Sequence, residues 1–193
     1  SVIGKNKAGQ TIFQSGTYDS TQKQFLRDPQ AKVYETIAGM TLQQAAKYGK
    51  TQGPSFLRSL NDTVLFDNRI PPRGFLHDAF RERRCAPVGY HYSDGQYWDV
   101  TSYAMGSDVE SVFVSLWYQI ASKDFIKFLR DENVGNPYDW NDWGEKVYEA
   151  WRTYGAPVRI ARQKVEVQNS SPQLSPVTDV ELPVEISLAQ NYP

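Results

Sequence analysis

His77 and His91 are the only histidines in 193 residues, and Cys85 is the only cysteine. These side chains carry much of the proton transfer, nucleophilic attack and metal ligation in proteins, so their scarcity bounds the chemistry. One cysteine excludes, within these residues, an intrachain disulfide, a Cys2His2 zinc site and a Cys-x-x-Cys-His haem attachment. A thiol nucleophile needs a base held beside it; none is identifiable near Cys85, which reads as a small core hydrophobe. His77 and His91 could supply two ligands, but no Asp, Glu or Cys pattern completes a shell, so no metal site is expected. His77 adjoins Asp78 as an oriented imidazole would, yet no serine stands in a nucleophile-elbow motif. No catalytic residue is assigned.

The carboxylates Asp94, Asp99, Asp108, Asp131, Glu132, Asp139 and Asp142 invite two other chemistries. A hydrolase with paired carboxylates requires a defined separation, which spacing along the chain does not supply. The stretch VGNPYDWNDWG (134–144) offers calcium-type oxygens at Asn136, Asp139, Asn141 and Asp142, and the same spacing serves helix capping. Aromatic residues make up 13%, with five Trp and twelve Tyr. Tyr90, Tyr92, Tyr97, Trp98 and Tyr103 fall on one predicted hairpin, where residues two apart share a face. Exposed, Tyr90, Tyr92 and Trp98, with Trp140, would stack on sugars; buried, they are core. A carbohydrate-binding module is therefore the alternative function.

DNRIPPRGF (67–75) is different in kind. Pro71 and Pro72 each fix φ and lack an N–H, Ile70 is pushed to an extended conformation, and Gly74 can take a positive φ. The stretch reads as a rigid crossover ending in a sharp turn. Arg69 and Arg73, with Arg81, Arg83 and Arg84, make the one basic patch local in sequence. Either Asp67, Asp78 and Glu82 satisfy these guanidiniums, or they meet carboxylates of a partner. The net charge of −1 gives no reason to expect nucleic acid.

The elements that must position these residues are mostly strands. Val2–Ile3 and Ile12–Phe13 flank a turn at Gly9, AKVYETIA (31–38) alternates, and TVLF (63–66) leads into the crossover. Asp94-Gly95 predicts a hairpin between 89–92 and 96–103. In VESVFVSLWYQI (109–120) the even positions Val112, Val114, Leu116, Tyr118 and Ile120 form the expected buried face. Thr41 opens a short helix over 42–48 with a capping-box pattern to Gln44, and Ser122 caps a second. A third helix over 140–154 carries Trp140, Trp143, Val147, Trp151 and Tyr154 as one stripe, closed by Gly155 at the C′ position and by Pro157. Strand-like sequence returns over 158–168. The expected fold is mainly β, an antiparallel β-sandwich decorated with two or three helices over 1–168. Residues 169–193 form a Ser- and Pro-rich tail, extended or bound to a partner. No run of apolar residues is long enough to span a bilayer, and SVIGKNKAGQ at the start lacks a signal-peptide core, so a processed or partial chain is expected.

Six segments in this order carry a family resemblance: AGQTIFQSGTYD (8–19), DPQAKVYET (28–36), GPSF (53–56), DNRIPPRGF, PVGYHYSDGQYWD (87–99) and WYQIASKDFIKFLRDEN (117–133). Together they resemble the C-terminal β-sandwich domain of secreted bacterial multihaem c-type cytochromes, over roughly 1–168. In that family a haem-bearing region with Cys-x-x-Cys-His motifs precedes the domain; this chain has no such motif. The resemblance implies a non-enzymatic, extracytoplasmic domain that supports electron transfer by packing on a multihaem cytochrome chain or region. It implies no haem bound covalently here, with haem c on the partner or in a preceding region. Any contact with that haem would fall to His77, His91, Arg73 and Arg84.

Overall fold

The computed structural model describes residues 1–133, 135 and 142–167, and the backbone of 187–189. In chain order the elements are β1 (Val2–Lys5), β2 (Thr11–Ser15), β3 (Tyr18–Asp19), β4 (Gln24–Phe25), β5 (Thr36–Met40), α1 (Leu42–Lys47), β6 (Gly53–Pro54) and β7 (Thr63–Asp67). Then come α2 (His77–Glu82), β8 (Trp98–Val100), β9 (Ser111–Tyr118), α3 (Lys123–Asp131), α4 (Trp143–Tyr154), β10 (Val158–Glu166) and β11 (Ser187–Ala189). Every strand pairing is antiparallel, and the fold is mainly β and sandwich-like, as the alternating segments imply. The chain divides into two compact units, Ser1–Lys32 with Tyr103–Val180, and Val33–Ser102 with Glu181–Pro193.

The first unit holds a four-stranded sheet in the order β10-β9-β1-β2. Its core is Val2, Val109 and Val112, closed over by Phe13, Tyr103, Met105 and Val114. The even face of β9 is buried only at this end. Val2 stands opposite Val114, and beyond that register β9 has β10 alone beside it among the described residues. Leu116, Tyr118 and Ile120 are accordingly exposed, against expectation. On the other face, β10 lays cations over the β9 rings: Arg162 lies 4.8 Å from the Phe113 centroid and Arg159 5.6 Å from that of Trp117. This second basic strip lies within one strand, and pairing with β9 sets it over aromatic rings.

Ser122 caps α3 as expected, accepting a hydrogen bond from Phe125 N–H at 3.2 Å. The packed face of α4 differs from the predicted stripe. Trp151 is buried, but Trp143 and Tyr154 are exposed, at 59% and 83%, and Trp140 lies outside the described residues. The reason is Gly144: a Cβ there would stand 2.8 Å from Arg130 Cα and from Asn133 Cβ, so α3 and α4 meet at a bare backbone. That approach turns Gly144, Tyr148 and Trp151 inward. Gly155 also serves a purpose other than the expected one. Its φ is −78°, not left-handed, and a Cβ there would lie 2.2 Å from Trp151 Cδ1, so glycine makes room for the indole.

The second unit holds the three-stranded sheet β6-β5-β7 and the pair β11-β8. Residues 31–35 are not a strand; β5 starts at Thr36. Asn68 explains this. Its Nδ2 donates to Val33 O and its Oδ1 accepts from Glu35 N–H, both at 2.8 Å, so one side chain replaces a ladder. The predicted hairpin at Asp94-Gly95 is likewise absent. The turn forms, but Gly95 N–H donates to Phe75 O and Val88 bridges Asp67, while β8 takes β11 from the tail. Thr41 caps α1, with Gln44 N–H donating to its Oγ1, but the return half of the box is taken over: Asp62 accepts from Thr41 N–H.

Two substitutions test these joints. Gly144→Ala should destabilise the first unit by about 1–3 kcal/mol, although alanine is the better helix former, because the overpacking cost exceeds the propensity gain. An unchanged or raised denaturation midpoint would show that the helices do not meet there. Asn68→Ala strands two backbone groups and should cost about 2–3 kcal/mol. Asn68→Asp should cost at least as much at neutral pH, because it buries an unpaired carboxylate against Val33 O and beside Asp67, and that excess should shrink in acid.

Candidate functional site

DNRIPPRGF builds the floor of the site. Asp67 is buried and accepts two bonds from the Arg69 guanidinium, at 2.9 Å from Nε and 2.6 Å from a terminal nitrogen. Pro71 is buried, Gly74 has φ +79°, and the turn delivers Phe75 to a fully buried position. Two residues on, His77 opens α2 at the surface, its backbone N–H donating to Asp94 Oδ1 at 2.7 Å. His91 stands beside fully buried Tyr92. Each histidine thus adjoins a buried ring that fixes its backbone while its own side chain reaches solvent. The two imidazole centroids are 6.4 Å apart. Asp78 lies 3.7 Å from His77 Nδ1 and 3.1 Å from the Arg81 guanidinium.

Below lies a carboxylate ringed by phenols. Asp99, 5% exposed, accepts from Tyr90 OH at 3.0 Å and from Tyr34 OH at 3.1 Å. Tyr92 OH instead donates to Asn68 O at 2.7 Å. Burial, then the Asp99 charge, pushes the Tyr34 and Tyr92 phenols well above their ordinary range. Tyr92 is fully buried and has no face for a sugar, while Tyr34 and Tyr90 are half-buried with their hydroxyls on Asp99. Asp99 was visible in sequence only as one carboxylate among seven; as a hub it had no local signal.

The arginines separate into two groups. Arg69 and Arg81 are paired within the unit, to Asp67 and Asp78. Arg73 stacks 4.9 Å from the Tyr97 centroid, and Tyr97 meets Trp98 edge-on at 5.1 Å. Arg84 is exposed and has φ +56°. It occupies the C′ position of a Schellman motif: Arg84 N–H reaches Arg81 O at 3.0 Å and Cys85 N–H reaches Phe80 O at 2.9 Å. The same motif ends α1 with Gly49 at φ +61°. Cys85 is exposed rather than core, because the motif turns it outward. His77 and His91 are therefore brought together, Arg73 joins Tyr97, and Arg84 lies roughly 10 Å along the helix from His77.

Among the described residues no group of three or more His, Cys, Asp or Glu gathers round one point, and no helix is long and apolar enough to cross a membrane. Asp142 of the proposed calcium stretch pairs with Lys146 at 2.6 Å; Asn136, Asp139 and Asn141 lie outside the described residues. No family model, curated protein or solved structure matches the chain.

The phenol cluster has a pH signature. Tyr34 and Tyr92 titrate higher folded than unfolded, so their contribution is complete below about pH 10 and is lost as pH rises toward the folded values. Alkaline titration should show their phenolate absorbance appearing together with unfolding. Independent titration of every tyrosine in the folded chain at ordinary pH would contradict the buried network.

Proposed function

We propose that this chain is a non-enzymatic interaction domain of an extracytoplasmic electron-transfer system, packing on a multihaem c-type cytochrome and holding it in place. The supporting observation is Arg84. A non-glycine residue in the left-handed region costs about 1 kcal/mol. α1 avoids that cost with Gly49, and α2 bears it with an exposed arginine that no carboxylate pairs with among the described residues. Strain retained on a surface charge points to a use for that charge outside the fold. Arg73 has the same character, a guanidinium held by a ring rather than by an acid. Haem propionates or an acidic haem-domain face offer the carboxylates that both would take. The polar groups that could serve catalysis, Asp67, Asn68 and Asp99, are instead spent on holding backbone and phenols.

Arg84→Gly separates charge from backbone. The variant should be more stable than the wild type by about 1 kcal/mol and yet associate more weakly. Arg73→Glu and Arg84→Glu should weaken association further, most at low ionic strength, with the fold intact. Co-migration of Soret absorbance with the chain, using multihaem cytochromes of its own source, reads this directly. Association indifferent to all three variants, or no haem protein co-migrating with the wild type, would refute the proposal.

A further inference from the structure

We propose that His77 and His91 together form a surface site for one divalent late first-row transition ion, with zinc as the working probe. Both imidazoles are presented at one place, their centroids 6.4 Å apart. Their backbones are fixed from beneath by Phe75 and Tyr92, each fully buried, so the site is organised before an ion arrives. Two further bonds lock the segments to each other: His77 N–H to Asp94 Oδ1, and Gly95 N–H to Phe75 O, both at 2.7 Å. A metal–nitrogen distance of about 2.1 Å puts two ligating rings roughly 5–6 Å apart between centroids. The observed centroid separation of 6.4 Å lies just above that range.

Asp78 brings negative charge to the same place: its Oδ1 pairs with Arg81 at 3.1 Å and lies 3.7 Å from His77 Nδ1, within ion-pair reach but beyond a hydrogen bond. Imidazole pairs suit zinc, copper and nickel over magnesium or calcium. With two protein ligands the remaining positions belong to water, which makes the site open and exchangeable. Nothing in this depends on a cytochrome partner.

The chain has only these two histidines, so their imidazole proton resonances are unambiguous. Titrating the full chain with zinc chloride should shift both together, saturating at one equivalent. His77→Ala and His91→Ala should each weaken binding about tenfold or more, and Asp78→Asn several-fold, with the fold checked by circular dichroism. Binding should release protons and weaken in acid, because ligating imidazoles are neutral. Cys85→Ser should change nothing. The proposal fails if either resonance stays unmoved at saturation, if either single histidine variant binds as the wild type does, or if Cys85→Ser abolishes binding.

Discussion

The second unit depends on one side chain doing the work of a strand. Asn68 sits between two prolines' worth of rigid crossover and the end of β7, and its amide spans Val33 O and Glu35 N–H. An amide carries a donor and an acceptor at nearly the spacing a backbone offers, so a strandless segment can be held at full hydrogen-bond satisfaction. Asn68 O then accepts from Tyr92 OH, and Tyr92 lies against Tyr90, whose hydroxyl reaches Asp99. Remove the side-chain amide and the segment before β5 loses its hold, and the Asn68 backbone carbonyl that anchors Tyr92 beside the Asp99 phenols loses the brace next to it. Neighbouring Asp67 is buried with Arg69 as its partner, which keeps a desolvated carboxylate from becoming a liability beside this joint.

The first unit is organised by absence of side chain. Gly144 lets α3 and α4 touch at backbone distance, and Gly155 clears the volume that the Trp151 indole occupies. Both glycines act through contact, not through dihedral freedom. The sheet beside them is asymmetric: the core covers the β1 end of β9, while β10 leaves Val158 and Ile160 exposed and adds Arg159, Arg162 and Lys164. Cations along an edge strand discourage pairing with foreign strands, and here they also sit on aromatic rings.

What sequence made legible was local. The turn at Gly9, the caps at Thr41 and Ser122, the turn at Asp94-Gly95 and the strand over 63–66 each depend on neighbours a few residues away, and each formed. The features that were not legible depend on distant partners. Asn68 reaches back 33 and 35 residues, and nothing in its neighbours marks that. The face of α4 follows from where α3 lies, so helical periodicity found Trp151 but placed Trp143 and Val147 one residue away from the packed Gly144 and Tyr148. The Asp94 turn was foreseen, but its strongest bonds go to Phe75 and His77, and a turn bound sideways does not close a hairpin. A spacing of fourteen residues between His77 and His91 says nothing about their meeting; a shared clamp at Asp94 does.

Architecture and surface chemistry are interleaved at single-residue resolution in the second unit. Phe75 is buried and His77 reaches solvent; Tyr92 is buried and His91 is exposed; Asp67 and Asn68 are buried and Arg69 and Arg73 are exposed. A buried neighbour removes the backbone entropy that an exposed group would otherwise lose on meeting a ligand, and preorganisation of that kind is what separates a site from a coincidence of side chains. Arg84 is the informative exception. It has no buried neighbour beside it and sits in a conformation its own side chain disfavours, held by two backbone bonds that glycine would make at lower cost. An exposed residue strained by its own side chain and given no partner inside the unit is the least economical place in this unit to keep a charge, unless the charge serves a contact outside the fold. The physical asymmetry lies there: the histidines are presented by the fold, whereas Arg84 is tolerated by it.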